Sequence, residues 1–150
     1  MYYCMYCIEK ETRVRVNILI IDGHGGGLGA QLVSTIIKNF PEHRVRAVGT
    51  NSTATVAMIK AGAKEAATGE NAVIVGARVA DIIIGPIGIV IADSLLGEVT
   101  PKMSVAIGQS LAKRLLIPIN QCDNTIVGVA SIPVGKLFQS VVDFIEKAKV

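Results

Sequence analysis

A doubly wound α/β domain, one mainly parallel sheet with helices on both faces, is the fold class this sequence predicts, and three observations predict it. Residues 17–30, NILIIDGHGGGLGA, read as an Ile-rich strand, a turn with five glycines, and a helix continuing through Leu32, Val33, Ile36, Ile37 and Phe40 at helical spacing. Further on, unbroken apolar runs such as Ile82-Ile83-Ile84 and Leu115-Leu116-Ile117 alternate with amphipathic segments, the pattern of buried parallel strands and their covering helices. Finally, 150 residues of which 51% are hydrophobic suffice for one full core, with no repeat and no linker to divide it.

The first strand is expected over residues 14–22 and its helix over 27–39, ended by Phe40-Pro41. Residues 44–48 form the second strand, and Ser52 or Thr53 caps a helix carrying Ala54, Ala57, Met58 and Ala61, closed by Gly62. A short strand at 65–67 precedes a helix start at Thr68-Gly69-Glu70-Asn71, with 72–79 open between helix and strand. Residues 81–86 are a buried strand, and 87–92 a further strand or an extended loop. Thr100 is an N-cap with Pro101 behind it, and that helix sets Met103, Ala106, Ile107 and Leu111 on one face. Another central strand is expected at 115–120, an edge strand at 125–129, and a closing amphipathic helix at 133–147 through Leu137, Phe138, Val141, Val142 and Ile145.

Residues 1–13 stand outside this pattern and hold every tyrosine of the chain, so they are expected to be an extension, disordered or artefactual; one version starts translation at Val14. Cys4 and Cys7 make a single CxxC, half of a zinc site, and Cys122 is far away in sequence, where it reads as a small buried hydrophobe or a reactive thiol. No metal site is expected. A formal charge of +3 without a cationic run or stacking aromatics speaks against nucleic acid. The longest apolar stretch, 82–92, is broken by Gly85, Pro86 and Gly88 and is too short to span a bilayer. Without a secretory leader pattern, a cytoplasmic protein is expected.

The glycine turn carries the chemistry. Bare glycines at a strand-to-helix turn uncover the first amides of the helix, at the positive end of its dipole, where a phosphate can approach. Gly23, Gly27 and Gly29 fit GxxxGxG, the spacing of short-chain dehydrogenases; Gly25, Gly27 and Ala30 fit the general GxGxx(G/A). The first register suits the sequence better, with Leu28 between its last two glycines, and Gly26 completes the turn. No Lys-Ser/Thr follows, which speaks against a P-loop.

Ligands of open α/β sheets lie beyond the carboxyl ends of the strands. That rule selects Thr50, Asn51 and Ser52 for a ribose, unless Asn51 and Ser52 only cap the next helix, and Gly85, Pro86, Ile87 and Gly88 for the pocket wall, with residues 120–122 at the same edge. No acid follows the second strand, which favours NADP or another nucleotide over strict NAD, while Arg44 and Arg46 lie too early on that strand. Residues 93–100, DSLLGEVT, form a possible lid whose Asp93 and Glu98 are the candidate catalytic acids. His24 sits inside the turn, and His43 reads as solvated. The Tyr-x-x-x-Lys proton donor of short-chain reductases is absent, and the sequence names no catalyst.

IIDGHGGGLGAQLV, AVGTNSTATVAMIKAGA, ATGENAVIV, ADIIIGPIGIVIADSLLGEVTPKMSVAIGQS and LLIPINQC together resemble the small bacterial proteins grouped as domain of unknown function family 3842. The resemblance runs from about Val14 to the last helix and implies a domain beginning almost directly with strand one; it carries no activity across. The sequence therefore supports a Rossmann-like domain that holds a phosphate-bearing nucleotide, NAD or NADP, as sensor or carrier. The alternatives are an enzyme on a nucleotide or small phosphorylated substrate using Asp93 or Glu98, and a homodimer or higher oligomer packed through residues 87–96.

Overall fold

The computed structural model describes residues 14–119 and 123–148. The expectations for residues 1–13, with Cys4 and Cys7, and for 120–122, with Cys122, fall outside the described residues. Five strands, β1 Asn17–Asp22, β2 Arg44–Gly49, β3 Glu65–Thr68, β4 Ile82–Pro86 and β5 Lys113–Ile117, form one sheet in the order β3-β2-β1-β4-β5, parallel throughout. Five α-helices cover it: α1 Gly27–Asn39, α2 Ser52–Lys60, α3 Glu70–Val79, α4 Pro101–Gln109 and α5 Val134–Lys147.

β1 shows why the strands read as continuous apolar runs. Its side chains alternate between two cores: Ile18 and Ile20 pack with Leu32, Val33 and Ile36 of α1, Met58 of α2 and Val141 of α5. Leu19 and Ile21 pack with Val73 of α3 and Met103 and Ile107 of α4. A strand buried on both faces has no polar side. Residues 72–79 are helical, settling the ambiguity of that stretch, because Val73 and Ala77, one turn apart, face this second core.

The cap expectations hold in part. Thr100 Oγ1 accepts the Met103 amide at 3.2 Å with Pro101 as first helical residue, and Gly62 takes φ +115 just past α2. For α2, the cap is Asn51, whose Oδ1 accepts the Ala54 amide at 2.8 Å, and not Ser52 or Thr53, which are the first helical residues.

Five other expectations are corrected. The first strand starts at Asn17 rather than 14, because the β2 register begins at the Asn17–Arg44 pair. Residues 87–92 are neither strand nor extended loop at their start: Pro86, lacking an amide, is the last rung beside β5, and Ile87–Val90 coils into a 3-10 turn that buries Ile89. Residues 125–129 form no strand, since Gly128 at φ +84 turns the backbone away. The strand expected at 115–120 is β5, shifted toward Lys113, and with no sixth strand among the described residues it lies on the edge rather than in the centre. Leu111 falls beyond α4 and is fully exposed, unlike Met103 and Ile107. Among the described residues no helix is long and apolar enough to cross a membrane.

Strand order reverses between β1 and β4, so the two chain segments leaving these strands depart toward opposite faces and leave a crevice. Ile20, fully buried in the middle of β1 and paired with Ala47 and Ile84, holds the strands that flank it. Ile20→Ala is expected to lower unfolding stability by about 2–5 kcal/mol with an unchanged denaturant slope in urea titration.

Candidate functional site

Asp22, the last residue of β1, organises the turn. Its side chain is 5% exposed; Oδ1 accepts the Gly23 amide at 2.8 Å and Oδ2 the Gly29 amide at 2.6 Å. Gly26, the N-cap of α1 at φ +72, has no side chain to cap with, so the carboxylate from before the turn serves the third helical amide instead. Burial pushes the Asp22 carboxyl above its ordinary range, with Glu98 adding to the rise, while the Gly29 and Gly23 amides and His24 pull partly back.

The five glycines divide by what surrounds them. A Cβ on Gly29 would lie 2.7 Å from Asp22 Cβ and from Met58 Sδ, and one on Gly26 would lie 2.6 Å from the Ala54 Cα of α2. On Gly23 it would meet Glu98 Oε2 and Thr50 Oγ1 at 2.6 Å. These three are bare because the protein itself closes on them. Gly25 and Gly27 have nothing within 4 Å and stand open. The register favoured from sequence thus contributes two glycines to packing and one, Gly27, to open space.

Above the open glycines lies a cleft of about 260 Å³ lined by Asp22, Gly23, His24, Gly25, Gly26, Gly27, Leu28, Pro86, Gly88, Leu95 and Ile119. The amides of Gly27 and Leu28, first and second in α1, have no acceptor among the described residues, and the first turn carries no acidic side chain. A second, shallower cleft of about 370 Å³ shares Gly25 and is lined otherwise by Ser52, Thr53, Val56, Ala57 and Lys60.

Glu98 ties the lid segment to both turns. Its Oε2 accepts the His24 amide at 2.9 Å, Thr50 Oγ1 at 2.5 Å and Asn51 Nδ2 at 3.1 Å, and its Oε1 accepts Asn51 Nδ2 at 3.0 Å. Burial alone would raise this carboxyl, but the bonds from Thr50, the His24 amide and Asn51, with the His24 charge, outweigh it and hold it below the usual range. The segment reaching Glu98 is wound left-handed: Asp93, Leu95 and Leu96 have φ of 62°, 54° and 57°, and Gly97 has 86°. Each non-glycine residue there costs about 1–2 kcal/mol. What holds them is the Asp93 amide on Val99 O at 2.8 Å, Ser94 Oγ on Gly88 O, and Leu95, 3% exposed, against the cleft.

Of the residues selected from sequence, Gly23, Gly25, Gly26, Gly27, Leu28, Pro86 and Gly88 come together at the cleft. Thr50 and Asn51 sit beside them but are bonded to Glu98, while Ser52 faces the second cleft. Gly29 and Gly85 are enclosed, Gly85 against Ile21 O of the neighbouring strand, and Ile87 begins the 3-10 turn outside the lining. The two lid acids part company: Glu98 reaches the turns, whereas Asp93 is exposed. Leu95, Ile119 and the capping role of Asp22 were missed. Only Asp22 left a signal, as an acid ending an apolar strand. Among the described residues no group of three His, Cys, Asp or Glu could hold a metal ion.

Two expectations follow from this geometry. Gly29→Ala is expected to cost about 1–3 kcal/mol through overpacking, whereas Gly25→Ala stays within about 0.5 kcal/mol of the parent in chemical denaturation. The two carboxylates also act in opposite senses with pH. Asp22, raised in the fold above its ordinary 3.8, stabilises most below that value, and its contribution is lost as pH rises through its elevated native pKa. Glu98, depressed below 4.5, stabilises above that value and loses its contribution as pH falls through its native pKa. Denaturation across the acid range should show the first slope vanish in Asp22→Asn and the second in Glu98→Gln.

No curated protein matches the chain. Residues 17–149 match the family described as Domain of unknown function (DUF3842), a span that takes in every strand and helix of the sheet domain. The chain belongs to the DUF3842 family.

Proposed function

We propose that this chain binds a phosphate-bearing nucleotide of the nicotinamide dinucleotide kind in the cleft between the β1–α1 turn and the β4 exit. The observation that carries the reading is the pair of unpaired amides, Gly27 and Leu28, beneath two glycines whose missing side chains leave the approach open. Unpaired amides at the positive end of a helix attract an anion. Their place at the reversal of strand order is where ligands of such sheets lie.

The lining narrows the kind of phosphate. Among the described residues no Lys or Arg lines this cleft, and Asp22 is part of its wall. A terminal monoester, with close to two negative charges, would find no Lys or Arg counter-charge there among the described residues. A pyrophosphate bridge, with one charge per phosphorus, suits neutral amide donors. At about 260 Å³ the cleft is below the range of about 300–1,000 Å³ in which whole ligands are held, so the bridge and one neighbouring group fill it. The rest of a dinucleotide then crosses Gly25 toward Ser52, Thr53 and Lys60.

The test uses one substitution that separates folding from binding. Gly27→Asp meets open space and adds an acid to the first turn of α1, so the free protein is expected to gain about 0.3–1 kcal/mol in urea unfolding. Dinucleotide binding, followed by calorimetric titration, should fall about 100-fold or more as that carboxylate repels the phosphates. Binding undiminished in a stabilised variant would place the ligand elsewhere.

A further inference from the structure

The sequence offers no acid directly after β2, yet the fold brings one there. Glu98, 48 residues beyond Thr50, puts its carboxylate on Thr50 Oγ1 and Asn51 Nδ2, the two residues that follow β2, and on the His24 amide of the glycine turn. Asp22 and Gly49 are paired in the register, so these two turns lie side by side at the sheet edge, with Glu98 between them. We infer that Glu98 makes this a site for a nucleotide with a free ribose diol, the 2′-hydroxyl form of the dinucleotide, and excludes the 2′-phosphorylated form. The inference rests on the dinucleotide reading above and reverses the preference for NADP drawn from the missing acid.

Three observations carry it. Glu98 is half-buried, and among the described residues its Oε1 receives only the Asn51 amide, which leaves that oxygen able to accept a hydroxyl. Three donors fix Oε2, so the carboxylate is held in place before any ligand arrives. The arginines of β2 lie toward the opposite end of the strand and are engaged: Arg44 Nε lies 2.6 Å from Glu65 Oε1 and Arg46 Nη2 3.2 Å from Glu65 Oε2. Lys60 lines the second cleft, where the rest of the dinucleotide runs beyond Gly25, whereas Glu98 is bonded to the glycine turn itself. A phosphate on the 2′ position would therefore meet an anion at contact distance, a juxtaposition that is strongly disfavoured.

The experiment compares NAD+ and NADP+ by calorimetric titration on the full chain and on its Glu98→Gln and Glu98→Asp variants. The parent should bind NAD+ about 100-fold more tightly than NADP+. Glu98→Gln should narrow the ratio to about tenfold or less by improving NADP+, and Glu98→Asp, which keeps the charge, should preserve the rejection while weakening NAD+. Where Glu98→Gln does not fold, Glu98→Asp and the parent decide. Equal or tighter binding of NADP+ by the parent overturns the inference and leaves the dinucleotide reading standing. Binding of neither nucleotide overturns that reading, and the inference with it.

Discussion

The buried carboxylate of Asp22 is the contact on which the rest of the site depends. A strand buried on both faces has to hand over to a helix within four residues, and the turn that does so has glycines in place of capping side chains. Asp22 closes it from behind by holding the amides on either side, Gly23 and Gly29. That choice leaves the first two helical amides unclaimed. Had the cap come from the usual residue just before the helix, its side chain would have stood in the path to those amides. Capping from the strand end and an open approach are one arrangement.

A second set of contacts fixes the outer wall. Glu98 collects donors from two separate turns, and the left-handed run that presents it is held by the Asp93 amide on Val99 O, by Ser94 on Gly88 O and by buried Leu95. Leu95 beside it goes inward against Gly23, while Leu96, 96% exposed, goes outward. The wall is thus built of local strain held by long-range bonds. Such segments sit at the less stable end of a structure's range.

Most of the fold was legible because its signals are periodic or stereochemical. Ile18 to Ile21 could only be a doubly buried strand, and the Leu32, Val33 and Ile36 stripe only a helix against it. Thr100-Pro101 marked its own helix start. The errors arose where apolar content was not matched by a partner. Ile126, Val127 and Val129 have strand-forming side chains but a positive-φ glycine among them, and Ile87 to Val90 follow a proline that ends the ladder. At the site, local sequence showed the glycines but not which of them face solvent, because that depends on Met58, Ala54 and Glu98, all distant in the chain. The acid beside β2 was hidden for the same reason: adjacency at a sheet edge is set by strand order, not by spacing along the polymer.

Asp22 has a thermodynamic corollary. Burial already holds its carboxyl above the ordinary range, and an anion resting on the Gly27 and Leu28 amides would raise it further. Ligand docking would then draw protons out of solution as it proceeds. The apparent heat of association would change from one buffer to another with the buffer's own enthalpy of ionisation, even at constant pH.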